Sequence, residues 1–274
     1  MKANVLKKFS YPYIVWMIIF TIIPLIIVAY YGLTTRDGNF TIENVKSILE
    51  YEHLKAFLLS IKLSLIATVI CLILSYPLAM VIKGLAIKSN GIIIFIFILP
   101  MWMNFLLRTM AWQSLLEKTG IINNILRFFG LPALRMINTE GAIILGMVYN
   151  FLPFMILPIY NSLVKISDDT LNAARDLGAS ERQVFTKVIV PLTFPGVVSG
   201  ITMVFVPAMT TFVISDLLGG NKIQLIGNVI ENEFTTANNW NLGAGLSLVL
   251  MIIILGSMAI MSRYDKNGEG AALW

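Results

Sequence analysis

The stretch GAIILGMVYNFLPFMILPIYNSLV, residues Gly141–Val164, contains no charged side chain and lies between Glu140 and Lys165. An α-helix rises about 1.5 Å per residue, so a helix of this length can cross the roughly 30 Å hydrocarbon core of a bilayer. A transmembrane β-strand would instead alternate apolar and polar residues over about 10 positions. The continuous apolar run therefore predicts a membrane-spanning helix.

Five other stretches have the same character, and together the six predict an all-α membrane protein. The whole chain is 57% hydrophobic and 13% charged, against about 25% charged residues in a soluble domain. The first stretch is longer than the apolar core of a signal peptide, about 7–15 residues, so we interpret it as a span. The predicted spans, within one domain of residues 1–274, are Tyr13–Leu33, Phe57–Ile82, Gly91–Trp112, Gly141–Val164, Leu192–Ser215 and Leu242–Ser262.

Basic residues indicate which side of the membrane each connector faces, because cytoplasmic connectors retain an excess of Lys and Arg. With six spans, both termini and the connectors after spans two and four share one side. These segments are dense in basic residues: Lys2, Lys7, Lys8, Lys83, Lys88, Lys165, Arg175, Arg182, Lys187, Arg263 and Lys266. The pattern predicts cytoplasmic termini. It also accounts for the net charge of +5 without a nucleic-acid partner.

The chain lacks residues that several function classes need. Cys71 is the only cysteine and His53 the only histidine, which argues against a disulfide within the chain and against a zinc site. Phosphate-binding loops need Gly-x-x-x-x-Gly-Lys followed by Ser or Thr, and no such string occurs. We therefore predict no catalytic residue, no metal and no cofactor on this chain, so an energy source must come from elsewhere.

The connector after the fourth span, residues 165–191, has clear helix signals, and we name it the knuckle. Ser167 can cap a helix whose first turn holds two aspartates, and Gly178 can end that helix in a left-handed conformation. The spacing of Ser180 and Gln183 is a capping box that opens a second helix towards Pro191. The pattern predicts a helix–turn–helix, which is either a docking surface for another protein or a solvated hairpin.

Within the knuckle, NAARDLG at Asn172–Gly178 is followed after nine residues by VIVP at Val188–Pro191. This pair resembles the EAA motif of ABC importer permeases, which reads Glu-Ala-Ala, three residues, Gly, nine residues and Ile-x-Leu-Pro. The resemblance implies the type I importer permease fold, in which a cytoplasmic loop between helices 4 and 5 forms coupling helices that seat in an ATPase subunit. Asn172 in place of Glu departs from the motif, as do valines at 188 and 190. The coupling residues implied by the match are Asn172, Ala173, Ala174, Arg175, Asp176, Gly178 and Pro191.

Two further strings, FLLRTMAW at Phe105–Trp112 and FVISDLLGG at Phe212–Gly220, resemble permeases of spermidine/putrescine importers. That resemblance implies the first of two related permeases, in a bacterial cytoplasmic membrane. The implied partners are a second permease, two copies of an ATPase that bind ATP and Mg²⁺, and an extracytoplasmic polyamine-binding protein. An ABC permease for another small solute and an ion-coupled carrier or channel remain alternatives.

Candidate residues for a substrate path follow from the chemistry of a polyamine, whose ammonium groups favour carboxylates, amide oxygens and aromatic faces. Asp216, placed by the prediction at the outer end of the fifth span, is the first of them. The others are Phe212, Trp102, Asn104, Tyr149 and Asn150. Each also has a structural interpretation, because interfacial aspartates are often solvated and membrane tryptophans, tyrosines and amides often anchor or join helices.

The predicted outer connector from Gln113 to Glu140 contains enough apolar residues for a short helix before Gly130. Such a helix can lie on the membrane surface. The other long outer connector is Leu217–Asn241. Either connector could instead meet a binding protein or remain a solvated loop.

Overall fold

The computed structural model describes residues 11–84, 99–220 and 222–262. Within these ranges the chain is helical, with an isolated antiparallel bridge between Thr34 and Phe40. In chain order the helices are α1 (Tyr11–Gly32), α2 (Glu43–Lys46), α3 (Tyr51–Gly84), α4 (Phe105–Leu116), α5 (Ile121–Phe128), α6 (Glu140–Val164), α7 (Asp168–Asp176), α8 (Glu181–Thr210), α9 (Val213–Gly219), α10 (Ile226–Thr235) and α11 (Trp240–Ser262).

Five of these helices, α1, α3, α6, α8 and α11, are long and apolar enough to cross a membrane. They cover the predicted spans one, two, four, five and six. Residues 91–98 of the predicted third span lie outside the described residues, and the rest of it contains a 3-10 turn at Leu99–Trp102 followed by α4. The all-α membrane class is thus confirmed, whereas the count of six spans stays a prediction.

The fifth span differs from its predicted bounds of Leu192–Ser215. The second knuckle helix and this span form one helix, α8, which ends at Thr210. Charges at the start of α8 marked the edge of the apolar run, but charged residues do not end a helix. A break after Thr210 separates α8 from α9, which carries Asp216, and the position of Asp216 at the end of the fifth span stays a prediction.

Two π-helical turns accommodate prolines in the long helices. In α1 the Ile23 amide bonds to the carbonyl of Ile18, and Pro24 follows; in α8 the Val190 amide bonds to the carbonyl of Phe185, and Pro191 follows. Because proline lacks an amide hydrogen and crowds the preceding turn, a wider turn before it lets the helix continue. This explains why Pro191 does not divide α8.

The described residues group into two compact units. In the first, made of residues 11–57 and 229–254, Asn241 fixes the end of α1 by donating from Nδ2 to the carbonyls of Tyr31 (3.1 Å) and Thr34 (2.7 Å). Asn44 donates to the same Thr34 carbonyl at 2.9 Å. Most apolar side chains of α1 are exposed, as expected for a helix that contacts lipid.

In the second unit, made of the described residues within 58–228 and 255–262, the central contact is α6 against α8. A Cβ atom added at Gly196 would lie 2.5 Å from the Pro158 carbonyl oxygen, and one added at Gly200 would lie 2.6 Å from Sδ of Met155. The two glycines form a Gly-x-x-x-Gly pair, which lets membrane helices approach closely. The helix that runs from the knuckle into the membrane, α8, is therefore packed directly on α6.

Candidate functional site

The first knuckle helix, α7, begins and ends as the sequence predicts. Ser167 precedes it, and Oγ of Ser167 accepts a hydrogen bond from the Thr170 amide at 3.3 Å. At the other end Gly178 has a φ of +82°, its amide bonds to the Arg175 carbonyl at 2.8 Å, and the Ala179 amide bonds to that of Ala174 at 3.1 Å. These two bonds form a Schellman motif, which explains the need for glycine.

The turn between α7 and α8 is closed by side chains on both sides. Oε1 of Gln183 accepts a hydrogen bond from the Ser180 amide at 2.9 Å, which confirms the capping box. Arg175 donates to both carboxylate oxygens of Glu181, from Nε at 2.7 Å and from Nη2 at 3.2 Å. Nη1 of Arg175 donates to Oδ1 of Asn172 at 3.1 Å. The side chain of Asn172, the residue that departs from the motif, therefore accepts a hydrogen bond within the knuckle.

The stabilising effect of the ion pair between Arg175 and Glu181 depends on pH, because it requires an ionised Glu181 carboxylate. The hydrogen bond from Arg175 lowers the pKa of the Glu181 carboxyl, and the same bond raises the pKa of Arg175. Because a lowered acid pKa favours the folded turn only while the carboxylate is ionised, this contribution is present at neutral pH. It is lost as the pH falls through the lowered pKa of Glu181.

An apolar side chain stands at the tip of the knuckle. Leu177, between the end of α7 and Gly178, is 89% exposed. Ala173 and Pro191 are also exposed, and Ala174 is half-buried. An exposed leucine alone is unremarkable in proteins. Here the turn is capped on both sides, so the exposed leucine is held in a fixed position and can anchor in an apolar pocket of another protein.

The base of the knuckle is fastened to α3. Nζ of Lys83 donates to the Ile166 carbonyl at 2.9 Å, and the Tyr76 hydroxyl lies 2.5 Å from Oγ1 of Thr193. The Phe185 ring meets the Tyr76 ring edge-on, with centroids 5.5 Å apart. A displacement of the knuckle would therefore act on α3 as well as on α8.

Asp216, the first candidate for a substrate contact, lies on α9 in a network around Asn228. Nδ2 of Asn228 donates to Oδ1 of Asp216 at 2.5 Å and to the Phe212 carbonyl at 3.1 Å. Oδ1 of Asn228 accepts from Ser215 Oγ at 2.6 Å and from the Leu225 amide at 2.9 Å. The structure thus brings the Asp216 side chain and the Phe212 backbone together. The hydrogen bonds of Asn228 stabilise the chain where α8 and α9 are separated.

We expect replacement of Asn228 by alanine to lower stability by about 2–4 kcal/mol. The side chain is 2% exposed, and its loss removes the hydrogen bonds to Asp216, Ser215, the Phe212 carbonyl and the buried Leu225 amide. The measurement is the midpoint of thermal unfolding of the full chain in detergent. Asn124→Ala is the control, because Asn124 is exposed and bonds only to the Thr119 carbonyl among the hydrogen bonds described. Equal midpoints for the two variants would contradict the structural role of Asn228.

The remaining candidates lie on α6 or at the start of α4. Asn104 caps α4, since Oδ1 of Asn104 accepts from the amides of Leu106 at 2.8 Å and Leu107 at 3.3 Å. Trp102 precedes it and is 74% exposed. The Tyr149 ring meets the Trp112 ring edge-on at 5.3 Å, which joins α6 to α4. These contacts are structural, and a role in a substrate path stays a prediction for each residue.

Two buried polar groups beside this contact lack partners within the described part of the chain. Asn150 is 1% exposed and donates to the Gly146 carbonyl at 2.9 Å, but Oδ1 of Asn150 accepts no hydrogen bond there. Arg108 is 7% exposed, and its Nε and Nη1 donate none among the described residues. Sequence reasoning found neither these two unsatisfied groups nor the role of Asn228, because both depend on contacts between distant residues. The Gly196–Gly200 spacing was visible in the sequence and was missed.

The chain has long apolar helices, a capped polar knuckle on one connector, and a helix, α8, that runs from the knuckle and packs closely on α6. Together these features define a membrane-integral permease component. The comparisons with known proteins agree. The family described as "Binding-protein-dependent transport system inner membrane component" matches residues 3–267, and the chain belongs to this family. It is a multi-pass inner-membrane protein of the ABC importer permease class.

Curated relatives cover most of the chain. It is 39% identical over 259 residues to the spermidine/putrescine transport system permease protein PotB of Haemophilus influenzae, which covers 92% of this chain and 91% of PotB. Against PotB of Escherichia coli the identity is 38% over 247 residues, covering 87% and 90%.

Solved structures support the fold alone, because they are only 16% identical to the chain. A permease chain of a bacterial ABC transporter for the acidic polysaccharide alginate superposes with a TM-score of 0.80 and covers 97% of both chains. The MetNI methionine ABC transporter gives a TM-score of 0.55, covering 78% of this chain and 94% of that chain.

Proposed function

We propose that this chain is the first of two permease subunits in an ATP-driven importer of spermidine and putrescine. The observation that carries the proposal is the 39% identity to a spermidine/putrescine permease across 92% of the chain. In this proposal the chain has six spans and both termini are cytoplasmic. Polyamines reach it from an extracytoplasmic binding protein, and a structural neighbour of this fold was solved with its periplasmic protein bound.

The proposed partners in the membrane complex are a second permease, which forms a heterodimer with this chain, and a dimer of ATPase subunits. ATP and Mg²⁺ bind to the ATPase, and this chain supplies no cofactor ligand. The knuckle seats in the ATPase, with Leu177 as its apolar anchor and Arg175, Asp176 and Glu181 at the rim. Capping at both ends of α7 supports this role, because a preorganised turn loses little conformational entropy on docking.

Force applied at the knuckle has a continuous route into the membrane. α8 runs from Glu181 to Thr210 as one helix and is packed on α6 at Gly196 and Gly200. α8 ends at Thr210, shortly before Phe212, and Asn228 donates both to the Phe212 carbonyl and to the Asp216 carboxylate. A movement of α8 therefore reaches the carboxylate that we propose meets the cation.

Asp216→Asn is expected to reduce spermidine uptake about tenfold without unfolding the chain. An amide at position 216 retains an oxygen that can accept from Asn228, but it removes the negative charge. A hydrogen bond to a charged group contributes roughly 1.5–3 kcal/mol, or about tenfold and more in affinity. Uptake and thermal unfolding are measured on the same preparation. Unchanged uptake with unchanged stability would remove Asp216 from the substrate path.

Copurification tests the assembly. A tagged chain extracted from its native membrane is expected to bring with it a second multi-span permease and an ATPase that contains a phosphate-binding loop. A chain that purifies alone and catalyses ion-gradient-driven transport in liposomes would favour the alternative of a self-sufficient carrier or channel. If the associated binding protein bound a different class of solute, the chain would still be an importer subunit, but the assignment of polyamines as its substrate would be wrong.

A further inference from the structure

The connector between α4 and α6 presents a bare apolar surface, which we name the α5 stripe. It consists of Ile121, Ile125, Phe128 and Phe129, exposed by 60%, 51%, 85% and 71%. Their spacing places them on one side of a helix. The rings of Phe128 and Phe129 meet edge-on with centroids 5.5 Å apart, so they form one aromatic wedge.

The opposite side of α5 is fixed to its own connector. Asn123 is fully buried, and its Nδ2 donates to the carbonyls of Glu117 and Leu134, both at 3.0 Å. Its Oδ1 accepts from the Leu134 amide at 2.8 Å. Arg127 donates from Nη2 to the Lys118 carbonyl at 3.1 Å. These bonds hold the helix in one orientation and keep the α5 stripe outward.

We propose that the α5 stripe inserts into the lipid interface on the membrane face opposite the knuckle. The connector runs from Glu117, after α4, to Glu140, where the apolar helix α6 begins. The Gly120 amide bonds back to the Glu117 carbonyl at 2.9 Å, and Asn123 donates to the Leu134 carbonyl, so α5 is held close to the end of α4 and to the residues that precede α6. Because α6 crosses the membrane between α5 and the knuckle, the two face opposite sides.

The charges around the stripe fit lipid better than a protein that must dock and release. Lys118, Arg127 and Arg135 are exposed in the same connector. An apolar stripe with aromatic residues, edged by Lys and Arg, has the composition of helices that lie in the headgroup region. The stripe itself offers no polar side chain that could select a protein partner. The proposal concerns anchoring and does not depend on the transported solute.

Site-directed spin labelling tests the proposal, and the single cysteine makes it practical. Cys71 is fully buried, so Cys71→Ala provides a background in which one new cysteine carries the nitroxide. Phe128→Cys and Phe129→Cys are the test sites, and either is sufficient if the other fails to fold. Ile73→Cys on α3, 63% exposed, is the lipid reference, and Leu177→Cys on the knuckle is the aqueous reference.

In the full chain in nanodiscs, collision rates are measured with oxygen, which partitions into lipid, and with nickel ethylenediaminediacetate, which stays in water. Labels at 128 and 129 are expected to favour oxygen as the label at 73 does, while the label at 177 favours nickel. Nickel preference at 128 and 129 would overturn the proposal. So would protection from both reagents that arises only on addition of the binding protein, because the occupant would then be that protein.

Discussion

Leu177→Asp is expected to reduce ATP-driven uptake by about tenfold or more while leaving the chain folded. At 89% exposure the side chain contributes almost nothing to the fold of its own chain, where surface substitutions change stability by about 0.5 kcal/mol or less. In a partner's pocket the burial of leucine contributes about 2 kcal/mol, and burial of an unpaired carboxylate costs more. The loss of docking therefore exceeds the roughly 1.4 kcal/mol that corresponds to tenfold.

The measurement is uptake by proteoliposomes that contain the whole complex, with copurification of the ATPase assayed in parallel. Leu177→Met is the control, because it retains an apolar side chain of similar volume and is expected to keep most activity. Normal uptake and normal ATPase association in Leu177→Asp would show that the tip of the knuckle is solvated. The solvated-hairpin interpretation would then be correct.

Gly196→Leu is expected to prevent stable folding, with a cost of about 3 kcal/mol or more. Even a single Cβ at this position meets the backbone of α6 at Pro158 and the side chain of Ser162. Backbone cannot move aside as a side-chain end can, so α8 must separate from α6 and lose the packing along both helices. We expect a lower yield of monodisperse protein and a lower thermal midpoint.

Gly256→Leu is the matched control for this substitution. Gly256 lies in α11, another apolar helix, and a Cβ atom there would meet no atom of the described residues within 4 Å. The change in helix propensity and hydrophobicity is the same as at Gly196, but the steric conflict is absent. If both variants lost the same stability, close packing at Gly196 would not be the cause.

The features predicted well from sequence are those that depend on local physics. The caps of α7, the end of that helix at Gly178 and the capping box at Ser180 involve residues within a few positions of one another. Apolar windows likewise placed the long helices, because span length is set by bilayer thickness. The short helix expected before Gly130 is also present as α5.

The features predicted poorly depend on residues far apart in the sequence. α8 ends at Thr210, and the chain just after it is held by Asn228, which donates a hydrogen bond to the Phe212 carbonyl from sixteen positions away. No periodic pattern in the apolar run could indicate that partner, and so the sequence did not predict the break that separates Asp216 from α8. The start of α8 was missed for a different reason, since charges at Glu181 and Arg182 mark exposure to water while the helix continues through them.

The most direct test of the account measures labelled spermidine uptake by proteoliposomes that contain this chain, its second permease, the ATPase and the binding protein. The account predicts uptake that requires hydrolysable ATP on the ATPase side, requires the binding protein and is reduced about tenfold or more by Leu177→Asp. Uptake that proceeds without ATP under an ion gradient, or that is insensitive to the knuckle, would contradict it.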